Sequence, residues 1–431
     1  MFGWEFPPFV AGGLGTACHG LVRALLKRGV NITLILPKNI TSAREEGLTI
    51  LGAEYWEFCL NREIKTEEIH NSFKTIRINS VLEPYSGINE PIELNTLSKE
   101  AIEKIILEPI ADTKSPSKAV YGPNLIEEVT RYNQIAASIA NSLEFDIIHC
   151  HDWLTFGAGI LAKEVSGKPL IVQVHATEFD RSPGSGNSEV KSFEKNGCDR
   201  ADTVIAVSNL TRDTLVRNYE IPADKIEVVH NGINMTSIPE LIVQDKPKLA
   251  PKILFLGRVT YQKGPNYFLE AAHKVLQFRP DIEFIIAGAG DMLPYLKGRA
   301  IELGISENVS FTGVLNEKEV KEIYQSVDCF VLSSISEPFG LTVLEALSHR
   351  LPVIISKQSG VSEVLKNILR YDFWDVERLS ALMLSVINYP TLAQELRERG
   401  IKDLYPITWD QAAIKVENIY LNSLQEKAIC I

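Results

Sequence analysis

The sequence lacks any apolar stretch of the length that a membrane-spanning helix needs. Such a helix takes about 20 consecutive apolar residues, whereas runs such as ITLILP and EFIIAGAG are far shorter. The first fifteen residues also lack the basic segment followed by an apolar stretch that marks a secretion signal. These two absences predict a cytoplasmic protein with no integral membrane segment.

Cysteine pairing is also missing. The six cysteines are scattered and form no CxxC pattern, which argues against a disulfide framework and against zinc ligation. Free thiols in a reducing cytoplasm are the expectation. No convincing DxD pattern is present either, so no metal ligands are predicted. The cysteines are Cys18, Cys59, Cys150, Cys198, Cys329 and Cys430.

Positive charge is in short supply. Lysine and arginine total 44 against 55 aspartates and glutamates, which gives a formal charge of −11. This balance argues against a nucleic-acid binder that works through a broad basic face. A phosphorylated small molecule would have to be held by a few local cations. The oligomeric state is left open.

Alternating strand and helix patterns run along the whole chain. Runs that are apolar on both faces and separated by helices are typical of parallel sheets covered on both sides. A chain of 431 residues is too long for one core, and two such series predict an α/β protein with two Rossmann-like domains. The predicted strands are 31–37, 145–152, 169–176, 202–208, 226–232, 252–259, 282–290, 309–314, 329–334 and 352–356.

The first domain is predicted to span residues 1–245 and the second 246–407, because prolines and lysines interrupt the periodicity between them. Residues 41–120 are polar and are interpreted as an elaboration of the first domain with hairpins and loops. Residues 408–431 are predicted to form a final helix that packs on the first domain, with Thr408 and Gln411 in capping-box spacing.

The segment MFGWEFPP is interpreted as the end of a first strand. Few strand residues come before Glu5, so we expect either that this strand is short or that the natural chain begins several residues upstream.

A glycine-rich turn, GGLG, leads into the first helical pattern. Glycines at a strand-to-helix turn let backbone amides approach an anion, and the helix N-terminus adds partial positive charge. The candidates are Gly13, Leu14 and Gly15. A plain tight turn would explain this pattern equally well.

Two cations follow the first strand of the second domain. Arg258 lies at the tip of the strand and Lys263 follows five residues later, which suits a diphosphate at the carboxyl end of a parallel sheet. An isolated Arg–Lys pair is more often a solvated loop. The assignment therefore depends on the motifs that accompany it.

The stretch SEPFGLTVLEAL places two glutamates eight positions apart at the end of another strand. The amides of Gly340, Leu341 and Thr342 open a helix and can receive phosphate oxygens. Glu337 can reach sugar hydroxyls, and Glu345 can accept from a ribose. Compensation of the helix dipole and a surface position are the competing explanations for these two glutamates.

Asp152 and His175 end two strands of the first domain and are expected to face the same cleft. A single histidine at a strand end is more often a satisfied structural residue. His19, His70, His230, His273 and His349 are assigned no chemistry. The GAGD segment after a later strand lacks the third glycine of a dinucleotide fingerprint, so an NAD oxidoreductase is disfavoured.

Taken together, these motifs resemble the retaining GT-B glycosyltransferases of family four. The most specific elements are E-x7-E at Glu337 and Glu345, G-R-x-x-x-x-K at Arg258 and Lys263, and VHNGIN at 229–234. GWEFPPFVAGGLG, HCHDW and HATEFDR further resemble the glycogen- and starch-synthase-like branch. The resemblance covers the chain apart from residues 41–120.

The resemblance implies a role for each motif. Arg258 and Lys263 would neutralise the donor diphosphate, Glu337 would hold the transferred sugar, and Glu345 the ribose. His175 would match the active-site histidine and Asp152 the neighbouring acid. The segment TGVL, with Val314 and Leu315, would read the nucleobase. Gly13 to Gly15 and Gly340 to Thr342 would grip the phosphates.

The chain departs from its relatives at three places. Starch synthases carry a lysine where this chain has Val10, and they usually lack the second glutamate present here as Glu345. Both differences favour family four over family five and weaken ADP-glucose as the donor. The loop that is common in the family as EDGxTGLLV is replaced here by KNILRYDFWD at 366–375.

The expected activity is metal-independent transfer of a sugar, glucose in the first instance, from UDP- or ADP-glucose to an α-glucan or another carbohydrate acceptor. No cofactor beyond the nucleotide sugar is expected. The alternatives are a nucleotide-sugar epimerase on the same fold and a non-catalytic protein that binds glycans or nucleotides.

Overall fold

The computed structural model describes the backbone of most of the chain, with side chains everywhere except in 74–78, 92–96 and 426–429. The described residues are 1–8, 12–38, 46–53, 74–78, 92–96, 124–182, 184, 186–234 and 250–429. The predicted domain boundary at 245/246, and most of residues 54–123, lie outside these ranges.

Parallel strands form the sheet of the first domain. One part pairs β1 with β2, and the other has the order β5-β6-β7-β8. Phe2 joins the two parts, because it bridges in parallel to Ile35 on β1 and to Cys150 on β5. An antiparallel pair, β3 with β4, lies outside this sheet. The strands are β1 (Ile32–Leu36), β2 (Leu48–Gly52), β3 (Lys74–Ile78), β4 (Ile92–Thr96), β5 (Ile148–His151), β6 (Leu170–Val174), β7 (Thr203–Ala206) and β8 (Ile226–Val228).

Helices connect the parallel strands of this domain. The first helix is amphipathic, and it buries Leu21, Val22 and Leu25 against β1. Burial of such an apolar face supplies most of a helix's stability in a folded protein. The helices are α1 (Gly13–Lys27), α2 (Leu125–Asn141), α3 (Trp153–Ser166), α4 (Glu178–Arg181), α5 (Ser188–Arg200) and α6 (Asn209–Tyr219).

The second domain is built on a six-stranded parallel sheet in the order β11-β10-β9-β12-β13-β14. Its strands are β9 (Lys252–Leu256), β10 (Glu283–Ala287), β11 (Val309–Gly313), β12 (Cys329–Leu332), β13 (Val353–Ser356) and β14 (Leu369–Tyr371). The helices are α7 (Pro265–Leu276), α8 (Leu293–Glu302), α9 (Glu317–Ser326), α10 (Leu341–Ser348), α11 (Val376–Asn388) and α12 (Pro390–Asp403). Two apolar clusters cover the two faces of this sheet.

The last helix, α13 (Trp409–Ile429), returns to the first domain. Ala412, Ala413 and Val416 pack against α1 in one apolar cluster. The Gln411 N–H donates to Thr408 Oγ1 at 3.2 Å, which is half of the predicted capping box. The chain crosses back beside its first crossing, since Ile233 bridges in parallel to Thr408.

Each of the ten strands predicted by residue range is present, with ends that differ by a few residues. The strand expected in MFGWEFPP is reduced to the bridges of Phe2. The α/β architecture with two Rossmann-like domains is therefore confirmed. Two parallel strands were missed. Both β2, whose first three residues are only half buried, and the three-residue β14 lack a long apolar run. Among the described helices, none is both long and apolar enough to cross a membrane.

Candidate active site

Lys263 and Glu337 form an ion pair at the carboxyl end of the second sheet. The Lys263 Nζ lies 2.5 Å from Glu337 Oε2, and the two side chains are 18% and 8% exposed. Ser334 Oγ donates to the same carboxylate oxygen at 3.1 Å. The backbone of Glu337 is fixed as well, since its N–H donates to the Gln358 carbonyl at 2.9 Å. The carboxylate is thus held in one orientation by a cation, a hydroxyl and its own backbone.

Arg258 approaches the same place by a different route. Its Nη2 donates to Gln262 Oε1 at 3.3 Å, and the buried Gln262 amide in turn donates to the Ser336 carbonyl at 3.1 Å. Arg258 itself is exposed. An exposed guanidinium next to a half-buried ammonium gives the edge two cations with free hydrogen-bond donors.

Two glycines of the GAGD segment explain how the Arg258 loop reaches its position. A Cβ on Gly288 would lie 1.9 Å from the Gly257 carbonyl oxygen, and one on Gly290 would lie 2.2 Å from that of Val259. Any side chain at either position would push the loop away. These glycines serve close packing between backbones, which accounts for a partial dinucleotide-like pattern.

Helix α10 begins at the centre of this edge. Its N-cap, Gly340, has φ of 109°, a conformation that L side chains rarely adopt, and the helix follows from Leu341. The first N–H groups of a helix have no acceptor within the helix. The amides of Leu341 and Thr342 therefore point out of the helix beside Glu337, whose Cγ would lie 3.4 Å from a Cβ at position 340.

Glu345 is half-buried within α10, and Tyr324 donates its hydroxyl to Glu345 Oε2 at 3.1 Å. Burial raises the pKa of Glu345 to about 7, against a usual value of 4.5. The ring of His349 stacks on Tyr324 with centroids 5.0 Å apart. The two glutamates of the motif therefore differ: Glu337 is paired with a cation, whereas Glu345 faces a neutral hydroxyl.

The TGVL segment follows β11 at the outer edge of the sheet. Val314 is 78% exposed, whereas Leu315 packs partly against the core of the domain. Gly313, with φ of 73°, turns the chain at this point. The segment thus presents its backbone and one apolar side chain at the same edge as Arg258.

Asp152 holds the loop that carries His175. Its Oδ1 accepts the backbone N–H of His175 at 2.6 Å and that of Ala176 at 3.4 Å. Asp152 itself has φ of 61°, which is uncommon and strained outside glycine. Burial raises the pKa of its carboxyl to about 6. The Arg181 guanidinium also donates to the Ala176 carbonyl at 3.1 Å, so the loop is fixed from two sides.

A chain of aromatic rings leads from α13 to His175. The Tyr420 hydroxyl lies 2.6 Å from His149 Nδ1, the rings of His149 and His151 stack at 4.5 Å, and His151 Nδ1 lies 3.0 Å from His175 Nε2. Burial lowers the pKa of His149 to about 3 and that of His175 to about 4. All three imidazoles are thus neutral at neutral pH.

A hydrogen bond between two neutral imidazoles contains one proton, so it fixes the tautomer of both rings. His151 therefore determines whether the other nitrogen of His175, Nδ1, donates or accepts. That Nδ1 atom is buried and has no hydrogen-bond partner among the described residues.

The glycine loop is held by Glu5, a residue that the sequence motifs did not single out. The Gly12 N–H donates to Glu5 Oε2 at 3.2 Å, and Glu5 is only 2% exposed. A Cβ built on Gly12 or Gly13 would meet no atom of the described residues within 4 Å. Gly13, Leu14 and Gly15 form the first turn of α1 itself, whereas the sequence predicted a loop that leads into the helix.

The two domains contact each other beside the candidate site. Ser336 Oγ, next to Glu337, donates to Asp180 Oδ1 of the first domain at 2.6 Å. Further out, the Glu363 carboxylate accepts the N–H groups of Asn209 and Leu210 at the start of α6, and His230 Nε2 lies 2.9 Å from it. His230, to which the sequence assigned no chemistry, thus contributes to the contact between the domains.

Some of these residues had a signal in the sequence. In HCHDW, His149 and His151 are two positions apart on a strand and therefore share a face of the sheet. Glu363 lies in a 3-10 turn, and Glu5 lies three residues after the bridging residue Phe2, outside any strand or helix. Neither glutamate therefore belongs to a recognisable sequence pattern.

Two glycosyltransferase families match the chain in succession. Residues 109–237 match "Glycosyltransferase Family 4" and residues 240–403 match "Glycosyl transferases group 1". The chain is a GT-B glycosyltransferase of groups 1 and 4.

Known proteins resemble this glycosyltransferase over nearly its whole length. An uncharacterised glycosyltransferase of Methanocaldococcus jannaschii is 27% identical, with 97% of each chain covered. A glycogen synthase of Mycobacterium tuberculosis is 24% identical over 98% of this chain and 94% of its own. The structure of sucrose-phosphate synthase from Thermosynechococcus elongatus superposes with a TM-score of 0.69 at 16% identity, covering 96% and 94%, which shows the shared fold.

Proposed function

We propose that this glycosyltransferase transfers glucose, with retention of configuration, from UDP- or ADP-glucose to an α-glucan. The observation that carries the proposal is the Lys263–Glu337 pair beside the open N-terminus of α10. That edge offers cations and amides to a diphosphate and a fixed carboxylate to a sugar. The similarity to a glycogen synthase over nearly the whole chain supports glucose and a glucan as substrates.

The chemical step breaks the bond between the anomeric carbon and the diphosphate oxygen. Charge builds on that oxygen, and Arg258, Lys263 and the amides of Leu341 and Thr342 would stabilise it. Preorganised donors act more strongly on the transition state than on the ground state. We propose that these groups take the place of a divalent metal ion.

Retention would follow from attack on the same face that the diphosphate leaves. The acceptor hydroxyl forms the new bond to the anomeric carbon, and its proton goes to the departing phosphate oxygen. The products are the elongated glucan and the nucleoside diphosphate. In this scheme Glu337 holds the hydroxyls of the transferred glucose, and neutral His175 stabilises the same sugar through its hydroxyls or through the main chain.

The remaining predicted residues would position the donor. Glu345 would accept from the ribose, Val314 and Leu315 would contact the base, and the turn from Gly13 to Gly15 would approach the phosphates. Asp152 would act through the His175 loop, since its Oδ1 accepts the backbone N–H groups of that loop.

The test is release of nucleoside diphosphate from a panel of nucleotide sugars, with and without glycogen or maltooligosaccharides. We expect release from UDP- or ADP-glucose that depends on the acceptor and is unchanged by EDTA. The new linkage should be cleaved by an α-glucosidase and not by a β-glucosidase.

Other outcomes identify the competing functions. Isomerised nucleotide sugar without release would show an epimerase and overturn the proposal. Inertness toward every donor, together with measurable nucleotide or glycan binding, would show a binding protein. Activity that disappears in EDTA and returns with Mg²⁺ would remove the metal-free mechanism alone.

A further inference from the structure

Four aromatic side chains lie together at the carboxyl edge of the second sheet, outside the site described above. Tyr261 and Trp374 are 53% and 60% exposed, while Tyr267 and Phe373 are half-buried. The Phe373 ring packs edge-on against Tyr267 at 5.3 Å and against Trp374 at 4.9 Å. We call Tyr261, Tyr267, Phe373 and Trp374 the aromatic patch.

Two of the four aromatic residues lie in a segment where the chain departs from its family. Phe373 and Trp374 belong to the segment that replaces the common EDGxTGLLV-like loop. Exposed aromatic groups of this size are costly to leave in water, and when they cluster they mark interaction surfaces. Other exposed aromatics of this domain, such as Tyr389, lie elsewhere.

The aromatic patch is continuous with the candidate site. The Phe373 N–H donates to Gln358 Oε1 at 3.4 Å, and the Gln358 carbonyl accepts the N–H of Glu337 at 2.9 Å. Tyr261 begins the 3-10 turn that ends at Lys263. The patch is therefore linked to Glu337 through Gln358 and to Lys263 through the 3-10 turn.

Polar groups border the aromatic rings. The carboxylate of Asp372 lies 2.8 Å from Lys357 Nζ, and Gln358 Nε2 lies 3.5 Å from its other oxygen. A flat apolar surface with hydrogen-bonding groups at its rim suits a pyranose ring, which has an apolar C–H face and hydroxyls around its edge. It suits neither a charged peptide nor a lipid tail.

The order of the strands separates this ligand from the nucleotide. Along the carboxyl edge, the base segment follows β11, the two cations and the two tyrosines of the patch follow β9, and Glu337 follows β12. Phe373 and Trp374 follow β14. Neighbouring strands are about 4.8 Å apart, so β14 lies roughly 24 Å from β11 and roughly 10 Å beyond β12. Phe373 and Trp374 are therefore on the far side of the transferred sugar from the base.

We propose that the aromatic patch binds sugar rings of an oligosaccharide acceptor that extends beyond the ring at the reaction centre. This proposal rests on the proposed function, and it adds where the sugars beyond the reaction centre are held. Because Phe373 and Trp374 follow β14, roughly 10 Å from Glu337's strand, they contribute only when the acceptor is long enough to reach them.

The experiment measures glycan binding and transfer separately. Maltoheptaose and maltose are titrated against the protein without donor, by calorimetry, in wild type and in Trp374→Ala, Tyr261→Ala and Trp374→Phe. Tyr389→Ala is the matched control, because Tyr389 is 64% exposed but follows the opposite end of α11. Transfer kinetics are then measured for both acceptors, together with the Kd for UDP and ADP.

We expect Trp374→Ala to raise the Kd and KM for maltoheptaose about tenfold. Tyr261→Ala should raise them less, Trp374→Phe should retain most of the affinity, and Tyr389→Ala should match wild type. In the Trp374 variants, the KM for maltose and the Kd for UDP and ADP should not change.

Three results would overturn the proposal. Unchanged maltoheptaose affinity in both alanine variants would do so, as would equal losses in Tyr389→Ala. A raised Kd for UDP or ADP with unaltered glycan binding would assign the patch to the nucleotide. If wild type binds maltoheptaose through Trp374 but transfers no sugar, the proposed function fails and the patch is still a glycan-binding surface. If wild type transfers sugar but Trp374 has no part in glycan binding, the proposed function stands and this inference fails.

Discussion

The two domains present different kinds of polar group at the candidate site: the second domain presents charged groups (the charged side), and the first presents neutral imidazoles (the neutral side). The second domain keeps full charges, with the Lys263 ammonium against the Glu337 carboxylate. The first domain presents imidazoles whose pKa values burial has lowered, to about 4 for His175. A departing diphosphate needs positive charge, whereas a cation beside an electron-poor sugar would oppose the reaction. The difference between the sides thus follows the charge that develops in the proposed reaction.

The largest effect is expected on the charged side. Lys263→Ala should lower kcat by about 10²–10³-fold, because it removes a donor to the leaving diphosphate. It also leaves the buried Glu337 carboxylate without its cation, which costs about 3–5 kcal/mol of folding free energy. Steady-state kinetics and denaturant unfolding measure the two effects.

A control for that variant is Lys274→Ala. Lys274 pairs with Glu377 at 2.6 Å, but the two side chains are 37% and 77% exposed. An exposed pair contributes under about 1 kcal/mol. If Lys263→Ala behaved like Lys274→Ala in both assays, the charged side would have no special role.

The neutral side is tested at His151. His151→Phe removes the hydrogen bond that fixes the His175 tautomer, and we expect kcat to fall about tenfold with little change in the KM for the donor. His151→Asn, whose amide can still donate or accept, should recover part of the rate. His273→Phe, on α7, serves as the control.

A proportional loss of kcat and stability in both His151 variants would point to packing alone. A rate loss in His151→Phe that His151→Asn reverses, at equal Tm, would establish the positioning role of His151.

Glu345 allows a test by pH, with a smaller effect. Its pKa is raised to about 7 by burial, so a fall from about pH 8 to about pH 6 protonates it and removes acceptors for the ribose hydroxyls. We expect the KM for the donor to rise several-fold over this range. In Glu345→Gln the KM should be high, and this rise should be absent.

The same shift affects stability in a defined direction. Between the usual value of 4.5 and about 7, the folded protein binds more protons at Glu345 than the unfolded chain does. The contribution of Glu345 to the free energy of unfolding therefore falls as pH rises through this window. Glu345→Gln should lose this part of the pH dependence of Tm; an unchanged dependence would contradict the assignment.

The smallest effect is expected where the two sides meet. Glu363→Ala removes a carboxylate that accepts two N–H groups at the start of α6, a loss of about 1 kcal/mol that is typical of a helix cap. Tm should drop by a few degrees while kcat is retained. A large loss of kcat instead would mean that this contact sets the geometry of the cleft.

The fold was predictable from the sequence because most of its parallel strands are apolar on both faces. Strand β6, for example, is buried at every residue. Strand β2 was missed because it is only partly buried, and β14 was missed because it has only three residues, so neither shows that pattern.

The candidate site was predictable where chemistry is local in sequence. Glu337 and the start of α10 are neighbours in the chain, and Lys263 lies five residues from Arg258. Glu5, His151 and Glu363 depend on contacts between distant segments. Only the folded structure brings Glu5 to the Gly12 amide and His151 to His175.

The two crossings between the domains lie side by side. Ile233 bridges to Thr408, and a Cβ on Gly232 would lie 2.2 Å from the Thr408 backbone, so only glycine lets the two strands touch. In topological terms the second domain is inserted into the first, and the two connecting segments are adjacent at Ile233 and Thr408. A side chain at position 232 would force the two connections apart. The spacing of the two connections at this point therefore depends on a glycine.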